Sequence, residues 1–279
     1  MRVTTLAIVG VGLLGGSIAL AARRRQLAAR VVGVDHPSAC AQALRLELID
    51  EAVELGGAAA TADLLVFCTP VDCLAAQILA AAPWCRAGCL LTDVGSTKAE
   101  IVRSVEDRLP PGVTFVGSHP LAGSEKNGSE HARAALFHRR QVIVTPTPRT
   151  DAVSLERVTT FWQALGATVR MMDPEAHDRA LALTSHLPHL AASALAGVLP
   201  PELFSLTATG FRDTTRLAAS NPALWSAILH ANAAAVLEAL ARYSEQLHRF
   251  RAALEAKDRA ALETLLGQGK QNKDALSDS

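Results

Sequence analysis

The feature that most constrains the fold is the glycine pattern GVGLLG, residues 10–15, which directly follows an apolar run of strand length, residues 3–9. Alanine- and leucine-rich sequence of helical character comes after it. Asp35 ends the next apolar run, about twenty residues beyond the last glycine. This spacing is typical of a strand, turn and helix that bind the pyrophosphate of a dinucleotide. The pattern therefore predicts a nucleotide-binding α/β fold.

Each position of the glycine pattern has a predicted role at the cofactor. Gly10 permits the tight turn, Gly12 lets the main chain approach the pyrophosphate, and Gly15 brings the helix close to the sheet. Leu13 and Leu14 lie at the helix N-terminus, whose N–H groups favour an anion. The alternative is that these glycines only pack a helix on a sheet.

Asp35 is the residue that we expect to select the cofactor. Its carboxylate would accept hydrogen bonds from the ribose hydroxyls and repel a 2′-phosphate, which favours NAD over NADP. His36 and the basic run 23–25 leave NADP possible, and Asp35 has the alternative role of capping the next helix. The predicted cofactor site also includes Thr69 and Pro70, directly after an apolar run.

Strand-length apolar runs alternate with helical segments through the first half of the chain. The runs are 3–9, 31–34, 64–68, 89–92, 113–116 and 142–144. The helical segments include 14–26, 71–82 and 98–109. This alternation predicts a doubly wound parallel sheet covered by helices on both faces.

The second half has a different pattern. After one more helix (151–165) and strand (167–171), the sequence beyond Pro174 predicts helices alone. We therefore predict a Rossmann-type NAD(P)-binding domain over residues 1–172 and an all-helical domain over 173–279. The alanine- and leucine-rich helices favour burial against one another or against a second subunit.

Composition excludes several classes of partner. Hydrophobic residues make up 49% of the 279 residues, which is enough for substantial cores. Lysine plus arginine (27) equals aspartate plus glutamate (27), so no net field would recruit nucleic acid or an anionic membrane. We therefore predict a small-molecule substrate, with no nucleic acid and no membrane as partner.

The location is predicted from the N-terminal stretch and the cysteines. Residues 6–22 are uncharged like a signal or membrane segment, but the neighbouring charges lie mainly on the C-terminal side and the glycines match the nucleotide pattern. The five cysteines have no paired CxxC spacing, which favours free thiols in a reducing cytoplasm over disulfides or zinc. We therefore predict a cytoplasmic protein.

Two polar residues follow predicted strands. Ser96 lies in DVGSTK after one strand, and His119 lies in GSHPLAGSEKNG after the next. Open α/β sheets bind ligands at the carboxyl edge of their strands, so Ser96 and His119 are predicted to lie near the ligand. The alternatives are that Ser96 caps the following helix and that His119 is an incidental loop residue.

Two further polar groups fall in the predicted helical domain. His186 and His189 in SHLPH lie one turn apart, but no third ligand has a sensible spacing, so we predict no zinc site. The segment GFRDTTR brings together Arg212, Asp213 and Arg216, either as a salt-bridged turn or as a clamp for an anion.

The motifs together resemble one enzyme family. GVGLLGGS, DVGSTK, GSHPLAGSEKNG, the HD pair 177–178, SHLPH and GFRDTTR occur in that order over most of the chain. They resemble the prephenate/arogenate dehydrogenase family of tyrosine biosynthesis. The resemblance implies a Rossmann domain joined to a helical substrate-binding and dimerisation domain. It also implies NAD(P)-dependent oxidative decarboxylation of prephenate to 4-hydroxyphenylpyruvate, or of arogenate to tyrosine.

The resemblance also implies the catalytic residues. His119 matches the histidine that hydrogen-bonds the ring hydroxyl and takes its proton as hydride leaves the same carbon for the nicotinamide. Ser96 matches the serine that orients this histidine and the hydroxyl. His177 and His186 are interpreted as packing or hydrogen-bonding residues, and no metal is implied.

The same resemblance implies a set of substrate-binding residues. Arg216 matches the arginine that binds a substrate carboxylate, and His189 matches a histidine at the substrate's side-chain end. Glu125 matches an acidic residue that can form an ion pair near the mouth of the site and gate access to it. Ser124 is assigned to the same site. Asp213 is predicted either to orient an arginine or to meet the ammonium group of arogenate.

The leading hypothesis is a dimeric, NAD-preferring prephenate dehydrogenase. The residues leave open whether arogenate, or both compounds, is the substrate. A β-hydroxyacid dehydrogenase of similar architecture fits less well, because that group relies on a catalytic lysine in its helical domain. A nucleotide-sensing protein that had lost catalysis would lack some of the polar site residues. Here His119, Ser96 and Arg216 are all present.

Overall fold

A computed structural model describes residues 2–122 and 128–277. The chain forms two compact units, Met1–Asn232 and Ala233–Ser279. The predicted functional boundary between residues 172 and 173 stays a prediction. Ser124 and Glu125 lie outside the described residues.

The first unit contains a six-stranded parallel sheet. Its strands are β1 (Val3–Val9), β2 (Ala28–Val34), β3 (Glu51–Ala52), β4 (Leu64–Phe67), β5 (Leu90–Asp93) and β6 (Thr114–Phe115). The order is β3-β2-β1-β4-β5-β6 and every neighbouring pair is parallel. The strand order reverses between β1 and β4, which is where such sheets bind ligands. The predicted Rossmann-type sheet is confirmed.

Helices cover both faces of this sheet. They are α1 (Leu13–Arg24), α2 (Pro37–Arg45), α3 (Leu55–Thr61), α4 (Val71–Ala81) and α5 (Ala99–Val105). Leu6 and Ile8 of β1 belong to one buried cluster, and Ala7 and Val9 belong to the other. Because side chains alternate along a strand, this division means that both faces of β1 are enclosed.

A second, three-stranded sheet carries residues that the sequence analysis placed elsewhere. It consists of β7 (Gly117–Pro120), β8 (Gln141–Thr145) and β9 (Thr168–Met171), with α6 (Ala152–Ala164) between the last two. β7 is antiparallel to β8, and β8 is parallel to β9.

Two predictions about this region were therefore wrong. The run 142–144 does not belong to the large parallel sheet, and His119 does not lie in a loop but in β7, where it pairs with Ile143. The sequence GSHP has few residues of high strand propensity. Its strand conformation depends on contacts with distant parts of the chain, and Pro120 is tolerated because it ends the strand.

The rest of the first unit is helical. It contains α7 (Pro174–Leu181), a π-helical turn (Ala182–His186), α8 (Leu187–Gly197), α9 (Thr209–Thr215) and α10 (Pro222–Ala231). Asp173 caps α7 by accepting a hydrogen bond from the main-chain N–H of Ala176 at 2.9 Å.

The second unit consists of α11 (Ala233–Glu255) and α12 (Arg259–Ser277). The predicted all-helical second half is confirmed. In the part of the chain that the structure describes, no single helix is both long and apolar enough to cross a membrane. Pro222–Ala231 and Ala233–Glu255 meet that criterion only when they are counted together as a broken pair.

Candidate active site

The glycine turn between β1 and α1 has the geometry of a pyrophosphate cradle. Gly10 has φ +93°, and a Cβ there would lie 2.8 Å from the main-chain carbon of Cys68. A Cβ on Gly15 would lie 2.0 Å from the oxygen of Gly10, so only glycine lets α1 approach this closely. A Cβ on Gly12 would meet nothing within 4 Å. The main chain at Gly12 therefore faces open space.

The start of α1 is suited to an anion. Its N-cap is Gly12, no side chain of a described residue caps it, and its first turn contains no acidic residue. The first N–H groups of a helix have no partner within the helix and favour negative charge. Leu13 and Leu14 form this first turn. The residues present therefore fit a dinucleotide pyrophosphate.

Asp35 follows β2 beside this turn. Its Oδ2 accepts a hydrogen bond from the N–H of Val11 at 2.8 Å, which ties the carboxylate to the glycine turn. The proposed alternative, a cap of α2, is not what the structure shows, because the N-cap of α2 is His36. Asp35 is exposed and keeps lone pairs for ribose hydroxyls.

Thr69 and Pro70 follow β4 on the other side of the turn. The Cγ2 of Thr69 lies 3.0 Å from the Cβ position on Gly10, and Pro70 is the N-cap of α4. The residues predicted to bind the cofactor therefore lie around one turn at the carboxyl ends of β1, β2 and β4.

A cavity of about 400 Å³ brings Ser96 and His119 together. Ser185 and His186 line it from the π-helical turn, and Trp225 lines it from α10. The two residues predicted to be catalytic thus share one concave site with residues from the predicted helical domain.

Buried hydrogen bonds fix strand β7 beneath this cavity. Asp93 accepts from the N–H of Ser118 at 3.0 Å and forms an ion pair with Lys98, and both charged side chains are fully buried. The hydroxyl of Ser118 donates to the main-chain oxygen of Asp93 at 2.6 Å and accepts from the indole N–H of Trp162 at 3.0 Å. These contacts hold His119 in position on the strand.

His119 contacts a second buried histidine. Its Nδ1 lies 2.9 Å from Nε2 of His177, and Nδ1 of His177 lies 2.7 Å from Oδ1 of Asp178. The Asp178 carboxylate also accepts from the N–H groups of Lys98 at 2.8 Å and Ala99 at 2.9 Å. Asp178 thereby supplies the cap of α5.

Burial keeps these imidazoles neutral. It lowers the pKa of His119 well below 6.5, and His177, Lys98 and His186 lower it further. Burial also lowers the pKa of His177, whereas the hydrogen bond that this ring donates to the Asp178 carboxylate raises it. Burial lowers the pKa of His186 to about 4. A neutral imidazole beside a cavity can accept a proton.

Family models match both halves of the chain. The nucleotide-binding domain of prephenate dehydrogenase matches residues 18–171, and the dimerization domain of prephenate dehydrogenase matches residues 173–268. The chain belongs to the prephenate dehydrogenase family. The resemblance on which the sequence analysis relied is therefore confirmed, as is its prediction of an oxidoreductase.

Individual relatives of the family show the extent of the similarity. The chain is 35% identical over 262 residues to the cyclohexadienyl dehydrogenase of Zymomonas mobilis, which covers 91% of this chain and 89% of the relative. It is 33% identical over 282 residues to the prephenate dehydrogenase of Bacillus subtilis, covering 98% and 76%. The crystal structure of prephenate dehydrogenase from Aquifex aeolicus in complex with hydroxyphenyl propionate and NAD+ superimposes with a TM-score of 0.90 and 32% identity, covering 100% and 99%.

Within this family member, the predicted substrate residues lie near the cavity wall. The ring of His189 stacks on Trp225 with centroids 3.3 Å apart. Burial lowers the pKa of His189, and the nearby cation of Arg216 lowers it further. Arg216 begins the turn Arg216–Ala219, which packs against α8, the helix that carries His189, and His189 contacts a residue of the cavity.

The segment GFRDTTR forms most of helix α9 rather than a turn. Among the described residues no ion pair involves Arg212, Asp213 or Arg216, so the salt-bridged reading was wrong. The exposed guanidinium of Arg216 is therefore available to an anion. No cluster of three His, Cys, Asp or Glu side chains in the described ranges is placed to hold a metal ion.

Sequence reasoning missed the contacts of two residues. Ser96 was given a possible role as helix cap, but the N-cap of α5 is Lys98 and Asp178 accepts the hydrogen bonds there. His177 was interpreted as a packing or hydrogen-bonding residue, and the structure shows these hydrogen bonds, but that its partner is His119 was not predicted. The HD pair was the available signal, but its partner is 58 positions away in the chain.

Proposed function

We propose that the chain is a prephenate dehydrogenase that uses NAD to convert prephenate to 4-hydroxyphenylpyruvate and CO2. The observation that carries this proposal is the single cavity holding His119, neutral and with its Nε2 unbonded by any described residue, together with Ser96. The similarity to prephenate dehydrogenases over most of the chain supports it.

NAD supplies the hydride acceptor when it is bound in the glycine turn. Gly10, Gly12 and Gly15 hold the pyrophosphate, and Asp35 accepts hydrogen bonds from the ribose hydroxyls. Thr69 and Pro70 complete this side of the site. Because Asp35 repels a 2′-phosphate, NAD is preferred over NADP.

His119 acts as the general base on the substrate. Nε2 takes the proton of the ring hydroxyl while the carbon that bears this hydroxyl loses hydride, and Ser96 orients the hydroxyl. The ring carboxylate then leaves as CO2, and the electron pair of the broken C–C bond enters the ring, which becomes aromatic. The phenolate oxygen regains the proton from His119.

Cationic and polar groups bind the remainder of the substrate. The planar guanidinium of Arg216 suits a bidentate contact with a carboxylate, and His189 lies next to it. Ser124 contributes to this binding and Glu125 acts as the gate. Both stay predictions because they lie outside the described residues.

The function divides between residues 1–172, which bind the cofactor, and residues 173–279, which complete the substrate site and form a homodimer. The match to a dimerization domain over residues 173–268 supports the second role. The five cysteines are free thiols, which agrees with a reducing cytoplasm as the location.

A second candidate is the same reaction on arogenate, or on both compounds. The 35% identity to a cyclohexadienyl dehydrogenase favours it. Asp213 also lies on α9, three residues before Arg216, which directly follows this helix, and its exposed carboxylate could meet an ammonium group.

The deciding experiment is the rate of nicotinamide reduction by the purified protein with prephenate and arogenate, each tested with NAD and NADP. We expect the highest kcat/KM for prephenate with NAD. Turnover of arogenate but not of prephenate would show that arogenate is the substrate. No turnover with any pair of substrate and cofactor would overturn the proposal. His119→Gln is the control, which should bind NAD and show almost no turnover.

A further inference from the structure

His119 ends a chain of three buried side chains, two of which the chemistry above does not use. His177 is fully buried and Asp178 is 5% exposed. We propose that His177 and Asp178 are positioning residues that hold His119 in the tautomer with its proton on Nδ1, so that Nε2 is the atom that takes the substrate proton. This inference rests on the proposed role of His119 as the base.

The hydrogen bonds around Asp178 indicate that its carboxylate is ionised. Its two oxygens accept hydrogen bonds from the N–H groups of Lys98 and Ala99. These donors cannot reverse their role, so they favour the ionised carboxylate, which only accepts. Nδ1 of His177, 2.7 Å from Oδ1, must therefore carry a proton and donate it to this hydrogen bond.

The proton on Nδ1 of His177 determines which nitrogen of His119 is protonated. A neutral imidazole has one N–H and one acceptor nitrogen, so a proton on Nδ1 leaves Nε2 of His177 as an acceptor. Nδ1 of His119 lies 2.9 Å from that acceptor and must be the donor. The proton of His119 is then on Nδ1, and its Nε2 has a free lone pair.

The remaining charged groups around the two rings agree with this arrangement. Lys98, paired with Asp93 beneath the rings, and His186 from the π-helical turn both lower the pKa of His119. Burial lowers the pKa of His177 as well. Both rings are therefore neutral before the reaction, so each has one N–H and one acceptor nitrogen.

Asn232, which directly follows α10, makes a further hydrogen bond that holds Asp178 in place. The Nδ2 of Asn232 donates to the main-chain oxygen of Asp178 at 2.8 Å and lies 3.1 Å from Nδ1 of His186. When His119 takes the substrate proton, its positive charge lies one ring away from the Asp178 carboxylate. The same contacts that select the tautomer thus also stabilise the protonated base.

The test is Asp178→Ala. The Oδ1 that faces Nδ1 of His177 also accepts from the N–H of Lys98, so an asparagine can keep its oxygen there, whereas alanine removes the acceptor. His177 can then carry its proton on either nitrogen, and the proton of His119 is no longer confined to Nδ1. We expect kcat to fall on the order of 100-fold, with KM for NAD and prephenate nearly unchanged.

A spectroscopic measurement observes the tautomer without turnover. The ¹⁵N shifts of the His119 ring, assigned by their loss in His119→Gln, should show a protonated Nδ1 in the wild type. In Asp178→Ala they should show both tautomers. An inactive wild type whose His119 tautomer changes in this way in Asp178→Ala would overturn the proposed function but support the positioning role. An unchanged tautomer and unchanged kcat in Asp178→Ala would overturn the positioning role.

Two further variants separate positioning from loss of structure. His177→Phe keeps a ring of similar size and leaves the contacts of Asp178 with α5, but it removes the acceptor for His119. It should lose kcat and show both tautomers, whereas His177→Gln, whose amide oxygen can accept, should recover part of kcat. Asp173→Ala removes the cap of the same helix, α7, without touching either ring, and it should keep both kcat and the tautomer.

Discussion

The two regions of the chain differ in how they bury apolar side chains. Residues 2–122 and 128–172 enclose the central strands, and all four residues of β4 and of β5 are buried. Fourteen of the twenty large hydrophobic side chains that the described residues expose lie after residue 173. Val198 is 75% exposed and Leu206 is 76% exposed. The first region encloses its central strands, and Ile228 of the helical region packs into one of its two cores, whereas the rest of the helical region presents apolar surface that a partner can cover.

Helix α11 shows this difference most clearly. Leu240, Tyr243, Leu247 and Leu254 are all exposed and are spaced by three, four and seven residues, so they form one stripe along the helix. Polar residues such as Glu245 and Arg249 lie between them in the sequence. We take this stripe as part of the proposed dimer interface.

The largest expected effect comes from charging this stripe. In the double variant Leu240→Glu with Leu247→Glu, a twofold dimer would bury four unpaired carboxylates, each at a cost of several kcal/mol. We expect the mass in sedimentation to fall from about twice 29.4 kDa to 29.4 kDa. A double variant that stayed dimeric would place the interface elsewhere. Leu44→Glu with Leu46→Glu, in the first region, is the matched control and should stay dimeric.

The next effect concerns the core of the first region. Leu65 in β4 is fully buried, so Leu65→Ala should lower the free energy of unfolding by about 2–5 kcal/mol. Val153→Ala, at an exposed position of α6 in the same region, should change it by less than about 0.5 kcal/mol. Urea unfolding of both variants measures the difference. Equal effects would contradict the burial of β4 in the core of the first region.

A smaller effect concerns the pH dependence of stability. It arises at His119, whose buried hydrogen bond to His177 joins the two regions. Burial lowers the pKa of His119 well below 6.5, so as pH falls below 6.5 the unfolded chain binds a proton there before the folded chain does. The stability contribution is therefore present above pH 6.5 and is lost below it. Between pH 7.5 and 5.5, His119→Gln should lose about 1.4 kcal/mol less free energy of unfolding than the wild type. Equal losses in thermal or urea unfolding would show that His119 is protonated in the folded state.

The smallest expected effect concerns cofactor choice, which we assign to the first region alone. Asp35→Ser removes the carboxylate beside the glycine turn, and with it the repulsion of a 2′-phosphate. The ratio of kcat/KM for NAD to that for NADP should fall by about tenfold. An unchanged ratio would remove Asp35 from cofactor selection. Asp50→Ser is the control, because Asp50 pairs with Arg23 and lies outside the glycine turn.

Sequence was sufficient where the structure depends on local pattern. The turn after β1 needs glycine at positions 10 and 15 for steric reasons, and these glycines identify it without any knowledge of the rest of the chain. Strand β4 is apolar throughout and β1 is apolar from Leu6 to Val9, so their position inside a covered sheet follows from composition.

Sequence was insufficient where a contact joins distant segments. Strand β7 exists because Ser118 bonds to Asp93 and Trp162, and nothing in GSHP indicates this. The contact of His119 with His177 likewise depends on how α7 packs near the sheet. The motifs indicated which residues matter, and the resemblance to a family indicated their roles, but the order of hydrogen bonds required the fold.

The capping of α5 by Asp178 has a consequence for the synthesis of the protein. Lys98 and Ala99 precede their acceptor by 80 and 79 positions. At about 5–20 residues per second, a ribosome needs about 4–16 s to add this length of chain. During that interval the nascent α5 lacks the carboxylate that completes its first turn. His119 is likewise added before the residues proposed to set its tautomer, so a growing chain acquires this arrangement of protons only after Asp178 has been added.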